Sequence, residues 1–92
     1  MAVDDKESIH DYYNDCLGNL IEYDNKNKTD YLDTLRCYLD NDSSIAEVAK
    51  ISFVHRNTVN YKIKKIKEIL NCELTQKDKL MLTLAFMTER II

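Results

Sequence analysis

Residues 44–70 read SIAEVAKISFVHRNTVNYKIKKIKEIL. Two helical patterns lie in this stretch, with only a short interruption between them. Ser44 followed by Glu47 is an S-x-x-E capping box, a start signal in which the serine hydroxyl takes a free amide of the first turn and the glutamate reaches back to the serine amide. Ile45, Val48 and Ala49 then face inward at helical spacing, which predicts a short helix over 45–52. Phe53, Val54 and His55 break the pattern. A second helix is predicted over 56–71, because Val59, Ile63, Ile66 and Leu70 recur at i, i+4, i+7 and i+11. At 3.6 residues per turn these last three fall within about 40° of Val59, so the buried stripe is narrow.

The same stretch gathers the positive charge of the chain. Lys50, Arg56, Lys62, Lys64, Lys65 and Lys67 occur with no Asp or Glu among them, whereas the residues before Lys50 hold four basic and twelve acidic side chains. The 92-residue chain carries a net charge of -3. That sum argues against a polyanionic partner; the distribution argues for one, and distribution governs local binding. Opposite Val59 the second helix presents Asn57, Tyr61, Lys64, Lys65 and, further along, Glu68, with Thr58, Asn60 and Lys62 on the flanks. A merely solvated helix face mixes signs. An amide-rich, basic face suits the major groove of DNA, where Asn bonds adenine edges and Lys or Arg bonds guanine edges or phosphates.

Two helices joined by a tight turn form a helix-turn-helix. The spacing V-A-x(4)-V-x(4)-V-x(3)-I runs from Val48 to Ile63 and looks like the core of many bacterial DNA-binding domains. Ala49 lets the helices cross closely, Val54 plugs the turn, and Val59 and Ile63 anchor the second helix. Phe53 stands where many such turns have Gly. His55 takes the capping position, where it either caps the helix or meets phosphate. Arg56 and Thr58 sit at the helix start and bind phosphate; Lys62, Lys65 and Lys67 read as phosphate or solvent contacts, and Tyr61 as a residue over the sugar-phosphate backbone or a base.

The rest of the chain frames this unit. With one Gly and no Pro, tight hairpins are disfavoured and an all-α fold is expected. A first helix is expected from about Ser8 to Asp24 on Ile9, Tyr13, Cys16, Leu20 and Tyr23, with Gly18 a point where it can divide in two. Thr29 is placed to cap a helix carrying Leu32, Leu35 and Leu39 and ending near Asp40. Tyr12, Tyr13, Tyr31 and Tyr38 read as core or core-edge residues. Thr75 caps a last helix, ending near Glu89, whose apolar residues Leu80, Met81, Leu82, Leu84, Ala85, Phe86 and Met87 cover more than half its circumference. Such a helix is either central to the core or shared with a partner chain.

Other chemistries find little support. Cys16, Cys37 and Cys72 form no CxxC pair, and only His10 and His55 accompany them, so free thiols in a reducing compartment are expected and no metal site. No carboxylate pair, nucleophile–base pair or glycine phosphate loop is visible, so neither an enzyme nor a cofactor is expected. The most apolar run, LMLTLAFM, is far short of the ~20 residues a membrane span needs. A cytoplasmic protein without membrane contact is the expectation.

The stretch YLDTLRCYLDNDSSIAEVAKISFVHRNTVNYKIKKIKEIL resembles the C-terminal helix-turn-helix domain of PucR-type transcriptional regulators, the purine-catabolism and sugar-diacid group. The pattern TLRxYLxxxxSxxxxAxxxFVHRNTVxYxxxxI is matched by Thr34, Leu35, Arg36, Tyr38, Leu39, Ser44, Ala49, the run 53–59, Tyr61 and Ile66. The resemblance implies a five-helix bundle similar to the nucleoid protein Fis, binding double-stranded DNA as a homodimer, with an effector-sensing region elsewhere in a longer regulator. MAVDDKE would then start an excised domain or a short protein. Asn60 stands where the family often has Arg, implying a different operator preference. Ser52 stands where it often has Leu, implying a slightly weaker core. The expected DNA-contacting set is His55, Arg56, Asn57, Thr58, Asn60, Tyr61, Lys62, Lys64 and Lys65 on one domain, 1–92. The alternative is a helical dimerisation or protein-interaction module built on the apolar last helix.

Overall fold

The computed structural model describes the backbone of residues 5–89 and the side chains from Asp11 onward. Five helices follow one another: α1 (Asp5–Asn27), α2 (Tyr31–Asp40), α3 (Ile45–Ser52), α4 (Arg56–Leu70) and α5 (Gln76–Thr88). No strand occurs among the described residues. The all-α expectation holds. α1 runs through Gly18 without a break, so the division expected there does not occur. A β-carbon at Gly18 would meet nothing closer than Asn14 Cβ at 4.0 Å, so packing does not demand the glycine.

α4 is the central element, packed against α1, α2 and α3, while α5 closes over α1 and α2. Leu17 and Leu20 of α1, Tyr31 and Leu35 of α2, Val48 of α3, Val59, Ile63 and Ile66 of α4, Leu74, and Leu82 and Ala85 of α5 form the buried core. The narrow α4 stripe is therefore buried as its spacing requires, with Leu70 at its edge. Leu17, fully buried, was not among the residues expected to face inward. In α2 the buried face centres on Tyr31, Thr34 and Leu35, and Leu32 and Leu39 are only partly covered. Ile9 and His10 lie outside the described side chains.

Helix starts are set by side chains. Thr75 accepts from the Asp78 amide and Asp78 accepts from the Thr75 amide, a reciprocal capping box. Thr29 does not cap α2. Asp24, at the end of α1, takes the free amides of Tyr31 at 3.0 Å and Leu32 at 2.8 Å, and the Thr29 hydroxyl donates to the same carboxylate. One carboxylate thus satisfies two amides and favours the positive end of the α2 dipole. Tyr23 and Tyr31 stack across the joint with ring centroids 5.6 Å apart.

A polar clamp fastens the end of α5. Arg36 donates to both oxygens of Glu89 at 2.7 Å, the Tyr13 hydroxyl donates to Glu89 at 2.6 Å, and Arg36 lies over the Phe86 ring at 5.0 Å. Burial, with the Glu89 carboxylate second, pushes the Tyr13 phenol up to about 12. Cys16, Cys37 and Cys72 are free and half-buried, not wholly buried. Burial pushes the Cys72 thiol up.

Candidate nucleic-acid interface

The site begins at the start of α3. The Ser44 hydroxyl accepts from the Glu47 amide at 3.2 Å. The reciprocal half of the box is replaced: the Ser44 amide donates to the Asn41 carbonyl at 3.0 Å. α3 ends on Phe53, whose backbone is left-handed at φ 58 and ψ 41. The Val54 amide then closes back on the Ala49 carbonyl at 3.1 Å, the usual wrap of a left-handed helix end. This turn re-aims the chain within three residues and leaves Val54 partly buried against the core.

His55 caps α4. Its Nδ1 accepts from the Asn57 amide at 3.0 Å. Accepting there requires the tautomer with its proton on Nε2. Of the two roles open to His55, the capping one is therefore filled. At the far end Asn71 adopts the left-handed conformation and returns its amide to Glu68 and Lys67.

Between these ends the buried stripe of α4 turns the opposite side of the helix outward. His55, Arg56, Asn57, Thr58, Asn60, Tyr61 and Lys64 are all exposed. Among the described residues, Arg56 and Lys64 have no ion-pair partner, and the side chains of Asn57, Asn60 and Tyr61 make no hydrogen bond. Tyr61 is 58% exposed. Its phenol is near enough to Tyr31 to add to the upward shift that burial imposes on that residue. Seven of the nine expected contact residues are therefore exposed on the outer side and flanks of α4 and at its cap. Lys65 remains on that face, half-buried, with only a loose 3.8 Å approach to Glu68.

Lys62 behaves differently. Its ammonium lies 2.9 and 3.1 Å from the two oxygens of Asp30, at the start of α2. Its side chain is only 21% exposed. The helix phase gives the reason, since Lys62 stands about 60° from Val59, on the flank that borders α2. Asp30 was not anticipated as its partner, because nothing local links positions 32 residues apart. Lys50, on the last turn of α3, is exposed. Ser52 is exposed as well, so the smaller side chain there removes nothing from the core.

The sequence that folds this way matches a known family. A family model described as the PucR C-terminal helix-turn-helix domain matches residues 31–88, from the start of α2 to the end of α5. The chain belongs to this family. This PucR-type domain is 37% identical over 87 residues to the purine catabolism regulatory protein of Bacillus subtilis (strain 168), covering 94% of the chain and 16% of that relative. It is 34% identical over 74 residues to the proline-responsive transcriptional activator PutR of the same organism, covering 80% of the chain and 18% of the relative. It is 29% identical over 73 residues to the DNA-binding transcriptional activator AdeR, again from Bacillus subtilis, covering 79% of the chain and 17% of the relative. The PucR-type domain thus spans less than a fifth of the length of these relatives. No solved structure matches it at a significant level. Among the described residues no helix is long and apolar enough to cross a membrane, and no group of three His, Cys, Asp or Glu is placed to hold a metal.

Proposed function

We propose that this domain binds double-stranded DNA sequence-specifically, as the output domain of a bacterial transcriptional regulator, with α4 laid in the major groove. The observation that carries the reading is the outer face of α4. It offers free amides, a phenol and cations, and no carboxylate from Arg56 to Lys67, in a chain that is acidic overall. α3 braces α4 from behind. Arg56 and Lys65 neutralise phosphates, and Asn57, Tyr61 and Lys64 face the base edges. The relatives named as transcriptional activators support the same use. An effector-sensing region belongs, on this reading, to the part of such regulators beyond this domain.

Salt titration against a short random-sequence duplex tests the electrostatics. Arg56→Ala is expected to weaken binding to all sequences alike and to lower the salt slope by about 0.9, the value of one phosphate contact. Lys62→Ala is expected to leave the slope nearly unchanged, because Asp30 already neutralises that ammonium. Binding by the parent that does not vary with salt would sink the reading.

A homodimer accompanies it. Leu80, Leu84 and Met87 recur at i, i+4 and i+7 on the outer side of α5, with Met81 beside them, and Leu80 is 62% exposed. An apolar stripe of this kind suits a second copy, and two copies would present two recognition helices to successive half-sites. Sedimentation should give a dimer for the parent and a monomer for Leu84→Glu. A parent that stays monomeric at high concentration would contradict the dimer.

A further inference from the structure

Phe53 is the most exposed large apolar side chain described, at 94%. It is also one of six non-glycine residues with positive φ, the others being Lys28, Asp42, Ser43, Asn71 and Leu74. That conformation crowds any β-carbon, so each instance needs compensation. Asp42, Ser43 and Asn71 are short polar residues, the types that tolerate it best. Lys28 places a cation beside the end of α1, where the helix dipole favours it. Leu74 is buried in the core. At Phe53 the backbone wrap of the helix end accounts for the turn, but nothing within the chain accounts for the side chain: it is bulky and its ring meets water. Such an outlier beside a binding surface points to a contact made outside the chain.

The surroundings indicate which contact. Phe53 lies two residues before the cap of the recognition helix, between exposed Lys50 and Arg56, and no carboxylate occurs from Val48 to Lys67. A polyanion is the partner that this charge admits. The turn precedes the helix, so with α4 in the major groove, as proposed above, the turn lies towards the wall of the groove rather than its floor. The apolar surface available on that wall is the deoxyribose. We infer that Phe53 is a DNA-positioning residue which packs its ring on a backbone sugar at the groove edge. This rests on the DNA-binding reading above. It adds an apolar, sequence-independent contact to the phosphate contacts of Arg56 and Lys65 and the base contacts of Asn57.

The three kinds of contact leave different signatures. A lysine contact changes the salt slope, a base contact changes sequence preference, and a sugar contact changes neither while lowering affinity everywhere. The 92-residue chain is titrated with a random-sequence duplex and with the tightest duplex recovered from binding-site selection. Phe53→Gly and Phe53→Asn both suit the left-handed turn and remove the ring. Each is expected to melt at or above the parent and to bind both duplexes about tenfold more weakly, the loss of one well-buried ring. The salt slope and the selected sequence should stay as in the parent, and Phe53→Tyr should restore affinity. Parent-like binding by Phe53→Asn would overturn the inference and leave the ring free for a protein partner. A changed base preference would overturn it in favour of a thymine methyl contact. A parent that binds neither duplex would overturn both this inference and the DNA-binding reading, whereas a binding parent with indifferent Phe53 variants overturns only this one.

Discussion

Val59→Asp is expected to abolish cooperative melting of the domain. Val59 is 1% exposed and packs in the core where α4 meets α3 and the rest of the bundle. A carboxylate there has no cation among its core neighbours, which are Leu, Ile, Val, Ala and Tyr side chains. Burying it unpaired costs at least about 3–5 kcal/mol, and protonating it instead still leaves a polar group without a partner. A domain of this size has only about 5–10 kcal/mol to lose. Circular dichroism should therefore show either no transition or one displaced far below the parent's. Asn60→Asp is the matched control, since it adds the same charge to the same helix at an exposed position and should barely move the melt. An unchanged melt for Val59→Asp would mean that the phase of α4 is rotated and that the outward face is not the one described.

Asn57→Ala is expected to remove discrimination at one base pair per half-site while sparing the fold. Asn57, Tyr61 and Lys64 follow one another at i, i+4 and i+7 and share the side of α4 opposite Val59. Asn57 is in the first turn, the end of a recognition helix that reaches base edges in this class of motif. Its side chain makes no hydrogen bond among the described residues; the bond at this position runs from its backbone amide to His55 Nδ1. The alanine variant keeps that amide, so the cap survives and the melting temperature should hold. A bidentate Asn–adenine pair is worth about 1–3 kcal/mol of discrimination, or roughly 5- to 150-fold between bases. Selectivity should flatten at one base pair per half-site, with non-specific affinity largely kept. A lowered melt with unchanged preference would make Asn57 a brace for the helix start.

Much of this was legible in the residues because the signals are local. The four apolar positions of α4 fix its phase, and the phase alone decides that Asn57, Tyr61 and Lys64 share a face. Thr75 and His55 sit immediately before their helices and cap them as their positions suggest. What escaped was set by tertiary contact. The cap of α2 comes from Asp24, eight residues before Leu32, and so looked like the nearer Thr29. Gly18 looked like a break because its intrinsic helix preference is poor, yet packing of α1 against α4 and α5 outweighs a cost of about 1 kcal/mol. Lys62 read as one more free cation until the fold placed Asp30 against it. The left-handed backbone at Phe53 had a trace in the sequence, as an aromatic residue standing where glycine is common, but its exposure became visible only in three dimensions.

Selection from a pool of randomised duplexes, run with the parent chain and with Asn57→Ala, tests most directly whether the outer face of α4 reads DNA sequence. The parent should enrich a defined motif, and the variant should enrich the same motif with one position per half-site gone degenerate. A parent that binds the pool at low salt but enriches nothing would contradict sequence-specific reading, and α4 would then be a cationic surface only.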